Sequence, residues 1–298
     1  MHTLPLPNLP TPARISLTNI LLATDFSGFS AAALPFAIAL AKWYGAKVFV
    51  THIVPPEPYL GVAMEPIPIQ TDMLWNSARR EMDDFLSREE FAHVAHQEIL
   101  RRGEIWTTIS GILQRNAIDL IVTGTHGRQG LKKMMMGSAA EKIFRRADCP
   151  VLTVGPEVPA SAGTSWEPRR ILFPTDFSAT SLHALPYALS LAEERQGTLI
   201  MLHSIPLTPY QYQDAVRDNV SKKLEQLVKT EGWCRFEFVV QFEFPPDTIL
   251  NVACEQRADL IVMGVNKKST AIISSHMPWS IASQVVGKAP CPVLTVRG

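Results

Sequence analysis

The most distinctive pattern in the sequence is a spaced series of glycines that ends in a serine. Its members follow the order G-x2-G-x9-G-S, with one additional glycine inside it: Gly124, Gly127, Gly130, Gly137 and Ser138. Glycine has no Cβ, so it permits positive φ and lets main-chain N–H groups approach an anion closely. A short apolar run precedes the series and a helix-like segment follows it, and the start of a helix favours negative charge. The residues therefore have the chemistry of a phosphate-binding turn.

Ordinary turn chemistry is a second interpretation of the same residues. Glycines occur in many turns, and Ser138 with Glu141 has the S-x-x-E pattern of a capping box. The position of the loop favours the ligand, because ligands of open parallel sheets bind beyond the carboxyl ends of the strands, near the topological switch point.

Asp25 lies in the short motif TDFS, directly after another apolar run. Its carboxylate could cap the following helix, with Ser27 as the competing cap. It could instead accept hydrogen bonds from a ribose hydroxyl or a base amine, and the residue types alone leave both roles open. His52, at the end of the next apolar run, has no second ligand at metal-binding spacing, and the cysteines form no CxxC pair. The sequence therefore predicts no metal site.

The chain contains one pattern twice. ILLATDFSGFSAAALPFAIALA, beginning at Ile20, matches ILFPTDFSATSLHALPYALSLA, beginning at Ile171, and further matches follow in the same order. A duplicated domain explains this order, and the segment between the copies is rich in Pro, Gly, Ser and Ala, which is typical of a linker. We predict a flexible extension at 1–14, a first domain at 15–155, a linker at 156–168 and a second domain at 169–298.

Short buried runs alternate with helical patterns in each copy. The runs ILLAT, KVFVTHIV, DLIVTG and PVLTV are continuously apolar, as strands buried on both faces of a parallel sheet are. Alternation with helices indicates βαβ units. The sequence predicts an α/β fold with two tandem domains, each an open five-stranded parallel sheet flanked by helices. The third strand, near HQEILRRG, is the least defined.

Charge and hydrophobic pattern give no indication of a nucleic-acid partner, a membrane span or a signal peptide. Lys plus Arg number 28 and Asp plus Glu also 28, so the net charge indicates neither nucleic acid nor a membrane surface as a partner. The Pro-rich N-terminus does not have the pattern of a signal peptide, and the most apolar helical stretch is too short to cross a bilayer. We therefore expect a cytoplasmic protein.

These residues together resemble the universal stress protein family in its tandem form, from about Ile15 to Gly298. The resemblance rests on TDFS after the first strand, on a histidine followed by an aliphatic residue at the end of the second, and on the complete glycine pattern. It implies a Rossmann-like fold of the adenine nucleotide alpha hydrolase type, with ATP, with or without Mg²⁺, bound in the first domain.

The resemblance also assigns roles to individual residues. Asp25 and the main chain around Ala23 would meet the adenosine, and Ile53 would lie against adenine. Ala23 stands where nucleotide-binding members often have proline. The phosphates would be surrounded by Gly124, Gly127, Arg128, Gly130, Gly137, Ser138 and Ala139.

The second copy departs from this pattern at the glycines. Aligned from Gly264, it has Lys267 in place of Gly127, Met277 in place of Gly137 and Pro278 in place of Ser138. Side chains then stand where backbone must approach a phosphate, and proline has no N–H to donate. We expect that the second domain does not bind ATP in the family manner and serves a structural or pseudo-dimer role.

The resemblance implies a regulatory, stress-responsive ATP-binding protein with an unknown protein partner. CPVLTV occurs in both copies, which suggests pairing of the two domains within one chain, and the resemblance also implies homodimers. One alternative is a slow ATPase or ATP-dependent transferase, although the sequence has no Walker motif and no evident base or nucleophile. Another is a non-catalytic scaffold without nucleotide.

Overall fold

A computed structural model describes residues 15–56, 68–125, 137–159, 162, 166–206, 208–228, 234–266 and 281–298. Strands alternate with helices along these residues. The strands are β1 Asn19–Ala23, β2 Lys47–Val54, β3 His96–Arg102, β4 Leu120–Gly124, β5 Val151–Val154, β6 Arg170–Pro174, β7 Thr198–Ser204, β8 Arg235–Gln241, β9 Leu260–Val265 and β10 Val293–Arg297. The helices are α1 Gly28–Ala31, α2 Leu34–Tyr44, α3 Pro68–Leu86, α4 Ile105–Arg115, α5 Ser138–Arg146, α6 Ala179–His183, α7 Leu185–Glu194, α8 Tyr210–Gln226, α9 Pro245–Glu255 and α10 Ile281–Lys288.

Contacts group the described residues into two units. The first unit is formed by Leu17–Val151, and the second mainly by Leu152–Ala162 and Trp166–Gly298. The strand order is β3-β2-β1-β4 in the first unit and β5-β10-β9-β6-β7-β8 in the second. β5 closes the first repeat of the sequence, yet nearly all of it groups with the second unit.

Each unit is built around a central strand with parallel neighbours on both sides. Leu21 of β1 is in register with Phe49 of β2 and with Ile121 of β4. β6 has the same position between β7 and β9, and all pairs among β6 to β10 are parallel. The predicted α/β fold is confirmed, and the least defined strand of the sequence pattern is β3.

This topology places a switch point beside the central strand. From β1 the chain moves outward to β2 and β3, and it then returns to β4 on the other side of β1. β1 and β4 therefore end at the same edge of the sheet, which is where ligands of open α/β sheets bind.

Apolar side chains from strands and helices hold the first unit together. One cluster joins Leu21, Phe49 and Ile121 of the sheet to Ile109 of α4 and Ile143 of α5. Leu21 and Ile121 are fully buried. Complete burial of one such side chain contributes about 1.5–3 kcal/mol to the free energy of folding. This cluster therefore fixes α4 and α5 on one face of the sheet.

The end of β4 passes very close to the backbone of α1. A Cβ atom added to Gly124 would lie 2.5 Å from the carbonyl oxygen of Phe29. The second unit has the same arrangement, because a Cβ on Gly264 of β9 would overlap the carbonyl oxygen of Thr180. Glycine is therefore required at both positions by packing, whether or not a ligand is bound.

We expect Gly124→Ala and Gly264→Ala each to destabilise the protein by about 1–3 kcal/mol, because the added methyl group forces backbone apart in a packed region. Thermal unfolding followed by circular dichroism measures this loss. Gly28→Ala is the control, since a Cβ at Gly28 would have no atom within 4 Å. Unchanged unfolding temperatures for the Gly124 and Gly264 variants would contradict this interpretation.

Candidate functional site

Several of the predicted site residues lie at the carboxyl ends of the strands that flank the switch point of the first unit. Ala23 is the last residue of β1, and Gly124 is the last residue of β4. Ile53 lies near the end of β2 and, with Ala23, packs against the apolar cluster under α4 and α5. Partly buried apolar side chains thus lie near the strand ends from which the β4 loop departs.

Asp25 fixes the turn that follows β1. Its Oδ1 accepts hydrogen bonds from the backbone N–H of Ser27 at 3.1 Å and from the Ser27 hydroxyl at 2.6 Å. Ser27 in turn caps α1, because its Oγ accepts from the N–H of Ser30. Of the two capping candidates in the sequence, Ser27 is therefore the helix cap, and Asp25 orients it.

His52 ties the end of β2 to the same turn. Its Nδ1 lies 2.8 Å from the carbonyl oxygen of Thr24, where an N–H can donate. The ring also contacts Phe26 with 4.6 Å between centroids, and Phe26 adopts the left-handed conformation with φ of 62°. A non-glycine residue in this region is unfavourable unless its surroundings hold it there. The histidine and the turn thus stabilise each other.

The second unit repeats this turn residue for residue. Asp176 accepts from Ser178, Phe177 has the same φ of 62°, and Nδ1 of His203 lies 2.7 Å from the carbonyl oxygen of Thr175. Burial alone would raise the pKa of Asp176, but hydrogen bonds from Ser178 and Ser181 hold it below its ordinary value. Burial lowers the pKa of His203. Because the turn occurs in both units, its geometry does not by itself indicate a ligand.

The start of α5 supplies the feature expected of an anion site. Gly137 is the N-cap residue, its N–H donates to the carbonyl oxygen of Thr125 at 2.6 Å, and its own carbonyl accepts the first helical bond from Glu141. A glycine cap has no side chain to satisfy the first N–H groups of the helix. Ser138 and Ala139 therefore begin α5 with their N–H groups at the positive end of the helix dipole.

The capping box suggested by the sequence is wrong. Ser138 is the first residue of α5, one position after the cap, and the carboxylate of Glu141 pairs with Arg145 one turn further along at 2.9 Å. The cap residue is instead Gly137, whose N–H is bonded to the carbonyl oxygen of Thr125.

Several predicted positions lie outside the described residues. They are Gly127, Arg128 and Gly130 of the first copy, and Lys267, Met277 and Pro278 of the second. Ser138 is described by its backbone, and Ala139 is exposed on α5.

Comparison with known proteins matches both repeats to one family. The model of the universal stress protein family matches residues 17–155 and again residues 167–297. The chain belongs to this family. The prediction made from the TDFS, histidine and glycine motifs is therefore confirmed.

Individual relatives match one repeat or the whole chain. A universal stress protein of Methanocaldococcus jannaschii is 31% identical over 140 residues, which is 45% of this chain and 80% of the relative. A Bacillus subtilis universal stress protein is 32% identical over 144 residues, 45% of this chain and 97% of its own length. The crystal structure of an Archaeoglobus fulgidus universal stress protein covers 94% of this chain and 98% of its own with a TM-score of 0.69, at 18% identity.

The structure of this universal stress protein contains an ion pair between Glu104 and Lys142 that the sequence did not predict. Glu104 caps α4 by accepting from the N–H of Thr107 at 2.7 Å, and it also accepts from Nζ of Lys142 in α5 at 2.9 Å. The bonds from Thr107 and then Lys142 lower the pKa of Glu104 to about 2. The acidic residue before a helical pattern signals the cap, but the partner 38 residues away depends on the fold.

None of the helices in the described part of the chain is long and apolar enough to span a membrane.

We expect Glu104→Gln to destabilise the protein at neutral pH and to change its response to acid. The pKa of Glu104 is lower in the folded chain than its ordinary value of 4.5. The carboxylate therefore stabilises the fold fully above that value, and this contribution is lost as the pH falls toward 2. Urea unfolding from pH 7 to pH 3 should show the two proteins converging in acid. An equal difference at every pH would contradict the assignment.

Proposed function

We propose that this universal stress protein binds one ATP molecule in its first repeat, and that the bound nucleotide controls its conformation or its choice of protein partner in a stress response. The observation that carries the proposal is the start of α5. A helix that begins with a glycine cap beside the switch point, in the repeat that keeps the whole glycine series, has the chemistry of a phosphate site.

The adenosine would occupy the crevice beyond β1 and β2. Ala23 and Ile53 offer an apolar surface for the base, since both are partly buried against the same cluster. Asp25 is held in place through Oδ1 by Ser27, and its carboxylate is the acceptor for a ribose hydroxyl. This turn would therefore orient the nucleoside.

The phosphates would lie at the glycine loop and the start of α5. Backbone N–H groups of Ser138 and Ala139 are the donors, and Gly127, Arg128 and Gly130 would complete the loop around the anion. Gly137 contributes differently, because its N–H already donates to Thr125. Gly124 holds the end of β4 against α1 and so keeps the loop at the crevice. If Mg²⁺ accompanies the nucleotide, Asp25 is the carboxylate of this turn that would assist it.

The second repeat would serve a structural or pairing role. It keeps the turn of Asp176 and the packing glycine Gly264, which the fold needs. The three positions that differ, Lys267, Met277 and Pro278, are those at which a phosphate requires either no side chain or a main-chain donor. The two repeats therefore share a fold and differ in the ligand chemistry.

We expect Asp25→Ala and Asp176→Ala both to lower stability and to differ in their effects on ATP binding. Each removes the same bonds to a serine, which costs about 0.5–2 kcal/mol. Only Asp25→Ala removes a proposed ligand group, and it should weaken ATP binding about tenfold or more. Isothermal titration calorimetry and thermal unfolding measure the two quantities. If both variants bind ATP as the wild type does, Asp25 is no part of the site.

A further inference from the structure

Thr51, in the interior of β2, carries a buried hydroxyl group that makes no hydrogen bond within the described part of the chain. The residue is 2% exposed, and its Oγ1 has no hydrogen-bond partner in the described part of the chain. A buried hydroxyl without a partner is unfavourable relative to an apolar group of the same shape. A hydroxyl in this state is available for a hydrogen bond to a ligand, and its position in the fold decides whether a ligand can use it.

The register of the sheet places Thr51 beneath the proposed base site. It lies between Ala23 of β1 and Ile99 of β3. Paired residues of parallel strands share a face, and side chains alternate along a strand, so Thr51 faces the same side as Ala23 and Ile53. Ile53 is two residues closer to the carboxyl edge, about 6–7 Å along the strand. Thr51 thus lies on the same face as the surface that would receive the base, two residues further inside the sheet than Ile53.

The second repeat shows that the fold accepts a purely apolar residue here. In the matching sequence GTLIMLHSIP the residue before His203 is Leu202, which is 1% exposed and lies between Pro174 and Val239. The polar residues of the neighbouring turn behave differently, because the bond between Thr24 and Ser30 recurs between Thr175 and Ser181. The hydroxyl of Thr51 is therefore particular to the repeat that keeps the glycine series.

We propose that Thr51 is a specificity-determining residue of the nucleotide site, whose hydroxyl hydrogen-bonds the inner edge of a purine base packed on Ala23 and Ile53. This inference rests on the proposed binding of ATP in the first repeat. A threonine hydroxyl can accept from the exocyclic amine of adenine or donate to a ring nitrogen. Binding supplies a partner for a hydroxyl that has none among the described residues, and a base without the matching group leaves it unpaired.

Thr51→Val tests this assignment, because valine has nearly the same shape and no hydroxyl. We expect the variant without ligand to unfold at a temperature a few degrees higher, since an unpaired buried group is removed. Its affinity for ATP should fall about tenfold, as expected for one lost hydrogen bond to a base. Its preference for ATP over inosine triphosphate, which lacks the amine, should disappear. Thermal unfolding and calorimetric titration with both nucleotides give these values.

Thr153→Val is the matched control. Thr153 on β5 is 1% exposed, and its Oγ1 also lacks a partner in the described part of the chain. This variant should gain thermal stability in the same way and bind both nucleotides as the wild type does.

Three results would overturn the inference, and the third would also contradict the proposed function. If Thr51→Val binds both nucleotides like the wild type, the role of Thr51 is wrong while ATP binding stands. If Thr51→Val unfolds at a lower temperature, the hydroxyl already has a partner in the free protein. If the wild type binds no adenine nucleotide, the proposed function fails together with this assignment.

Discussion

The contact between the end of β4 and the backbone of α1 is the constraint on which the site depends. Gly124 lets the carbonyl of Phe29 pass where any side chain would collide with it. This approach fixes α1, and with it the TDFS turn, beside the loop that leaves β4. Gly137 then returns the chain to the same place through its bond to Thr125. Backbone contacts thus set the positions of α1 and of the start of α5 relative to the end of β4.

The two repeats act as a comparison within one molecule. Both keep the packing glycine, the bonded aspartate, the left-handed phenylalanine and the histidine that joins the second strand to the turn. Features found in one repeat therefore need a different explanation. The first repeat has the glycine series, the buried hydroxyl of Thr51 and the link from Glu104 to Lys142. The second repeat has no counterpart of the Glu104 cap, because Phe244 precedes α9 and makes no side-chain cap bond.

The sequence predicted the elements and the duplication because both follow from local patterns. Continuous apolar runs became the buried strands, and even the weak third run became β3. Contacts between distant residues were less accessible. Ser138 and Glu141 have the residue types of a capping box, but the helix cap is Gly137, which is bonded to the distant Thr125. The glycine motif suggested that Gly124 contacts a phosphate. Its packing against the backbone of α1 became evident only from the structure. The isolation of the Thr51 hydroxyl depends on strand register, which no local pattern supplies.

The count of nucleotides bound per chain tests the central claim most directly. Equilibrium dialysis with labelled ATP should give about one site per chain in the wild type and none in Gly127→Lys, which carries the residue of the second copy at that position. Lys267→Gly should leave the count at one, because this variant still has Met277 and Pro278 in place of the glycine and serine of the first copy. Two equal sites in the wild type, or no bound ATP at all, would contradict the account.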